Sequence, residues 1–293
     1  MTRFLLAASL LALAACDSDS TEPEDVDTGT DTDDMMDAQT VPLSVSFTNL
    51  APLGAQLRYE GWLIVDETPV STGVFNAETG VSNYTFDVAS HDADAATAFV
   101  LTLEPTDDPD PAPAATKLLG GAFTDGTADL TVAHPAALND AFDDIGGDFI
   151  LATPTSAATD DETQGIWWLD PSGPSATLDL PELPDGWVYE GWVAGPDGPV
   201  STGTFSVVDE ADDDGPGATA GDQDAPPFPG QDFISPAVDL VGLTAVISIE
   251  PQPDDGPAPF ALKPLVGPID SGPHSLQPMD SNLDSFVTGT ATF

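Results

Sequence analysis

Basic residues are nearly missing from this chain: four Lys and Arg stand against 51 Asp and Glu in 293 residues. Nucleic acid and anionic membrane surfaces are bound by clustered Lys and Arg, so neither is a partner this surface attracts. Cysteine occurs once, as Cys16, which excludes an internal disulfide and any thiol-held zinc or iron–sulfur site. A long apolar run is also missing. The first uncharged stretch, "FLLAASLLALAA" from Phe4 to Ala15, would span only about 18 Å as a helix, against a hydrocarbon core of about 30 Å. Nor does any stretch sustain a 3.6-residue apolar period, apart from a short helical turn expected around "HPAALNDAFDDI" (His134–Ile145). Helical bundles and βαβ folds are thereby set aside.

What is present at the start has the shape of an export signal. Arg3 precedes the short apolar stretch, and small residues precede Cys16. Leu13-Ala14-Ala15-Cys16 resembles a bacterial lipobox, which implies cleavage after residue 15 and lipidation of the Cys16 thiol. Several acyl chains, at about 0.8 kcal/mol per buried CH₂, would hold the protein at a membrane. The expected location is the cell envelope, facing the periplasm or the exterior. Asp17 would favour inner-membrane retention in some Gram-negative lineages. Loss of Arg3 leaves 3 − 51 = −48 charges from Cys16 onward. Such self-repulsion is relieved by salt, so a saline or cation-rich setting is expected; the plainer reading is a solubilising surface.

Residues 16–40 are acidic and nearly free of apolar side chains until Met35, the composition of a disordered tether. Their alternating aspartates invite a calcium reading, but the Gly and Glu that an EF-hand loop needs are out of register. No metal or cofactor is expected. From Val41 onward, short alternating runs separated by Pro, Gly and Asp, with 29 prolines in all, read as strands: Leu43–Leu50, Tyr84–Val88, Ala98–Pro105, Ala128–Val132, Asp148–Pro154, Ile166–Asp170, Ala176–Leu180 and Leu243–Pro251. The fold class is all-β, as two tandem antiparallel β-sandwich domains over 41–145 and 146–293.

The division rests on an internal repeat. "YEGWLIVDETPVSTGVF" (Tyr59–Phe75) returns 130 residues later as "YEGWVAGPDGPVSTGTF" (Tyr189–Phe205), identical at ten of seventeen places. "FVLTLEP" (Phe99–Pro105) returns as "AVISIEP" (Ala245–Pro251), now 146 residues later. The extra sixteen fall in Val207–Asp232, read as a loop. Within the motif, Tyr59 and Leu63 are expected in the core, Trp62 half-covered on the opposite face, and Pro-Val-Ser-Thr-Gly in a turn.

Those motifs, Y-x-x-W, P-V-S-x-G-x-F and a strand ending E-P before a Pro-rich loop and a Gly, resemble the extracytoplasmic C-terminal domain of anti-sigma-K factors. In the first copy they are Tyr59, Trp62, Pro69-Val70-Ser71, Gly73, Phe75, Glu104-Pro105 and Gly121; in the second, Tyr189, Trp192, Pro199-Val200-Ser201, Gly203, Phe205, Glu250-Pro251 and Gly267. The resemblance implies a small β-sandwich that senses or docks outside the cytoplasm. It departs in lacking a sigma-binding domain followed by a spanning helix, so only the outer module is shared.

Candidate sites follow. Trp62 and Trp192 could form a repeated binding platform, although core packing and turn chemistry explain the whole motif without one. Trp167 and Trp168, adjacent in a strand-like run and therefore facing opposite ways, are candidate contacts for an envelope protein or glycan, against interdomain packing. Lys117 and Lys263 each lie thirteen residues after a repeated glutamate, so Glu104–Lys117 and Glu250–Lys263 are candidate structural ion pairs. Ser71 and Ser201 lack a nucleophile elbow, and His91, His134 and His274 do not recur with the repeat. Glu60, Glu104 and their counterparts could supply a glycosidase pair, but 51 acids produce such pairs freely. The function expected is non-catalytic binding or signalling at the envelope; the alternatives are a glycan-processing enzyme and a structural surface protein.

Overall fold

The computed structural model describes residues 39–254 and 256–293, so the expected leader, the expected lipidation at Cys16 and nearly all of the expected tether lie outside the described residues. Antiparallel strands make up almost all of the regular structure, with one six-residue helix at Ser90–Ala95 and a short 3₁₀ turn at Leu283–Ser285. The chain is all-β, as its alternating runs require.

Each repeat forms the same antiparallel sheet, a hairpin whose first strand also pairs with a strand that returns from beyond it. In the first, the sheet order is Thr68–Phe75, Leu57–Val65, Ala96–Pro105, Lys117–Ala122. In the second it is Gly198–Phe205, Trp187–Gly195, Thr244–Pro251, Leu265–Pro268, with Asp280–Ser281 added. Tyr59 sits opposite Phe75 and Leu103, and Tyr189 sits opposite Phe205 and Ile249. The 145/146 division follows the sequence motif, while the hydrogen-bonded sheets cross it. The last strand, Thr288–Thr292, pairs with Thr40–Thr48 and Thr127–Leu130. A single cluster of buried apolar side chains runs through both repeats.

The hairpin chemistry lies earlier than the sequence reading placed it. The first turn is Asp66-Glu67, both at positive φ (49° and 64°), the geometry whose twist suits a two-residue hairpin. Pro-Val-Ser-Thr-Gly is instead an edge strand carrying a bulge: Gly61 faces Gly73 and Trp62 faces Ser71, leaving Thr72 as the extra residue. Gly73 and Gly203 take φ of 116° and 103°, which a β-carbon would resist. Proline is tolerated at 69 and 199 because an edge strand needs no second ladder of donors.

Tyr59 and Leu63 are buried, as expected from alternation, and so are Tyr189 and Val193. The glycine between them is required by close packing. A β-carbon on Gly61 would come within 2.8 Å of the Phe99 ring, and one on Gly191 within 2.7 Å of the Trp168 ring. Position 99 corresponds to Ala245 in the second repeat, so Trp168 fills there the space that Phe99 fills in the first. The tyrosine hydroxyls also match: Tyr59 donates to the Ala51 carbonyl at 2.8 Å and Tyr189 to the Pro181 carbonyl at 2.7 Å, each eight residues upstream.

Three local expectations are corrected. Residues 134–145 form turns rather than a helical segment, because Asn139 and Phe142 adopt positive φ. Ala176–Leu180 is strand only at Ser175–Ala176, with Asp179 in an isolated bridge to Gly146. Val207–Asp232 is not all loop, since Gly230–Asp232 pairs with Gly165–Trp167.

Candidate functional site

The repeated polar side chains converge on the face of each sheet opposite the tyrosines. On the first, the Trp62 indole N–H donates to Thr102 Oγ1 at 2.9 Å, Thr102 donates to Glu104 Oε1, and the Ala114 amide donates to that same oxygen at 2.9 Å. On the second, Trp192 donates to Ser248 Oγ at 2.7 Å, Ser248 donates to Glu250 Oε1, and the Phe260 amide donates to it at 2.8 Å. The Pro-rich loop after each Glu-Pro thus folds back over the sheet and binds the glutamate through a backbone N–H. Beside each chain, Ser71 donates to Glu60 and Ser201 to Glu190, and each serine oxygen accepts from the glycine two residues on at 3.1 Å.

These are sealed networks. Glu104 and Glu250 are each 1% exposed, and the second carboxylate oxygen of each has no hydrogen-bond partner. Burial dominates their electrostatics. It raises the Glu104 pKa, opposed by Thr102 and Ala114. It pushes Glu250 up to about 7, opposed by Ser248 and Phe260, with Glu190 and Asp254 adding repulsion. Burial likewise pushes Glu190 up to about 7, with Asp254, Asp213 and Asp214 contributing. Asp212, supplied by the sixteen-residue excess, is buried and pushed to about 7; it accepts the Gly230 amide at 2.9 Å.

The candidate contacts therefore take a different role. Trp62 and Trp192 are each 3% exposed, and Trp167 and Trp168 are 1% and 0%, so none presents a ring for stacking by a partner. Trp62, which alternation alone left half-covered, is closed off, with its indole N–H held by Thr102. Trp167 donates to Asp232 Oδ1 at 2.8 Å, and Trp168 to the Met279 sulfur at 3.4 Å. The pair does face opposite ways, Trp168 into the large core and Trp167 into a second, smaller apolar cluster with Ile150, Ala152, Leu169 and Phe228.

Neither candidate lysine pair forms. The two ion pairs among the described residues are His91–Asp92 and His274–Glu162. Glu104 and Glu250 are held by hydroxyls and amides instead, and Lys263 Nζ donates to the Phe260 carbonyl at 2.5 Å. Lys117 stands opposite Thr102 in the ladder rather than Glu104. A nucleophilic serine finds no base here: the hydroxyls of Ser71 and Ser201 are given to glutamates, His91 and His274 pair elsewhere, and His134 Nδ1 accepts the Ala136 amide at 3.1 Å. Sequence reasoning missed Asp212 and Asp232. Both sit in a stretch whose composition reads as loop; Asp232 is buried within the strand Gly230–Asp232, and Asp212 accepts that strand's Gly230 amide.

Residues 5–117 match the family model described as Anti-sigma-K factor rskA, C-terminal, the family that the first repeat's motifs resemble. The matched span holds the whole Tyr59–Phe75 motif and ends at Lys117; the second repeat lies beyond it. No curated protein matches this chain, and no solved structure does.

Proposed function

We propose that this chain is a non-catalytic regulator of the cell envelope. It is anchored by lipid on Cys16, faces the periplasm or exterior, and uses two anti-sigma-K-like β-sandwich domains to sense or bind an envelope protein or glycan. The match of residues 5–117 to the anti-sigma-K C-terminal family carries this reading. The geometry supports a binding rather than a catalytic role. A glycosidase needs two carboxylates flanking a substrate bond, whereas Glu104 and Glu250 are closed under their loops and hydrogen-bonded in place.

The test is made in the native host with the full chain. Wild-type protein sediments with membranes, Cys16→Ala protein is soluble, and deletion of the gene alters a set of transcripts sharing one sigma-factor promoter element. Cys16→Ala protein that stays on membranes removes the anchor. Glycan hydrolysis by the purified protein, lost in Glu104→Gln, would replace the regulator with an enzyme.

A further inference from the structure

The repeat duplicates a cleft as well as a sheet. At the start of the Tyr-Glu-Gly-Trp strand in each copy, the preceding loop, the end of the edge strand and the residue after Glu-Pro enclose an open cavity. Its volume is about 530 Å³ in the first repeat and about 640 Å³ in the second, within the range of small-molecule sites. The walls correspond by repeat position: Leu53 with Leu183, Leu57 with Trp187, Asn76 with Ser206, and Thr106 with Gln252. One wall residue of each cleft also carries a buried nitrogen with no hydrogen-bond partner, Arg58 Nε in the first and Trp187 Nε1 in the second.

The two clefts differ in charge. The first carries Arg58 and no acid in its wall, while the second carries Glu182 and Asp185, with Val188 at the position of Arg58. Arg58 is the one arginine after the leader in a chain with 51 acids, yet it takes part in neither of the two ion pairs among the described residues. Glu104 stands directly across the ladder from it, but that carboxylate is turned to Thr102 and Ala114. A guanidinium that many carboxylates could have neutralised is instead left lining a cavity.

We infer that the first-repeat cleft binds a small carboxylate with an aliphatic body, its carboxylate on Arg58 and its apolar part against Leu53, Leu57 and Ala77. The planar fork of arginine matches a carboxylate with two parallel hydrogen bonds. Asn76 and Thr106, both at the cleft, offer amide and hydroxyl groups to the rest of the ligand. Repulsion from the distant acids is screened beyond about 8 Å at physiological ionic strength, so a contact at hydrogen-bond distance outweighs it. The second cleft, lined by acids, rejects the same ligand. This inference rests on the cleft alone and stands whichever membrane or compartment holds the protein.

The probe is N-acetyl-leucine, titrated into the full chain and followed by NMR shifts, with N-acetyl-leucinamide and inorganic phosphate as comparison arms. The acid is expected to shift resonances of Leu53, Arg58 and Asn76, and to leave Ser206 and Gln252 unmoved. The neutral amide should bind at least about tenfold more weakly, as should the acid to Arg58→Gln, the loss of one charge-assisted bidentate contact. Ala55→Trp, which fills the mouth while keeping the guanidinium, should abolish binding with unchanged circular dichroism. Equal binding of acid and amide, undiminished binding to Arg58→Gln, or no binding of the acid each overturns the assignment. Phosphate binding as tightly as the acid would overturn the carboxylate preference.

Discussion

The two repeats solve one packing problem with different parts. In the first, Glu60 is half-buried and the face around it stays partly open; in the second, the equivalent Glu190 is 6% exposed. The difference comes from the sixteen extra residues, which lay Asp212, Asp213 and Asp214 over the edge strand. Asp213 takes the Thr204 amide at 2.8 Å, and a β-carbon on Gly203 would lie 2.3 Å from Asp214 Oδ1. Inside the core the exchange runs the other way. The first repeat fills the space over its central glycine from the neighbouring strand of its own sheet, with Phe99, whereas the second leaves Ala245 there and borrows Trp168 from the segment between the copies. A motif kept at ten of seventeen positions thus fixes the backbone path and the hydrogen-bonded frame, while the fill on either side is free to change.

The sharpest way to break this equivalence is to empty the two fillers. Phe99→Ala and Trp168→Ala should each lower unfolding free energy by about 3–5 kcal/mol in urea melts, because both side chains are fully buried. A loss below about 1 kcal/mol for Trp168→Ala would mean that it does not fill the second repeat as Phe99 fills the first.

Acidity should separate the repeats next. Glu190, Glu250 and Asp212 titrate near 7 when folded, against ordinary values of 4.5, 4.5 and 3.8. Their raised values mean that the folded state binds protons more tightly than the unfolded chain. The stabilisation is therefore fully present below the ordinary values and is lost as pH rises through about 7. Melting temperature should rise on acidification from pH 8 towards 5, with an effect on the order of 1–3 kcal/mol for the cluster. Glu250→Gln should flatten that profile more than Glu104→Gln. Equal flattening by the two, or a melting temperature that falls over this range, would erase the distinction.

The smallest effect tests what the repeats share. Tyr59→Phe and Tyr189→Phe each remove the hydroxyl bond to the carbonyl eight residues upstream, and each should cost about 1 kcal/mol by thermal or urea unfolding. Markedly unequal costs would show that the tyrosine frame is not equivalent in the two copies.

Much of this was legible from residues alone. Alternating runs gave the all-β class and the central strands, and the change in offset from 130 to 146 located the segment that now supplies Asp212. The tyrosine–leucine face followed from period two. What escaped was long-range. Nothing local in "TGTAT" (Thr288–Thr292) announces a strand that returns to Thr40–Thr48. Alternation left Trp62 half-covered because it carries no information about polar partners on that face, where Thr102 holds the indole N–H. Spacing alone suggested the Glu104–Lys117 pair, but a bulge between Leu101 and Thr102 shifts the ladder and brings Lys117 opposite Thr102.

The bulged, proline-bearing border strands have a consequence for crowding. A flat border with a full row of free amides is a template on which a neighbouring chain can add its own strand. Here Pro69 and Pro199 delete an amide from that row, and the extra residue between Ser71 and Gly73, repeated between Ser201 and Gly203, breaks its regular spacing. Copies gathered at high density would find no regular ladder to extend along these two borders.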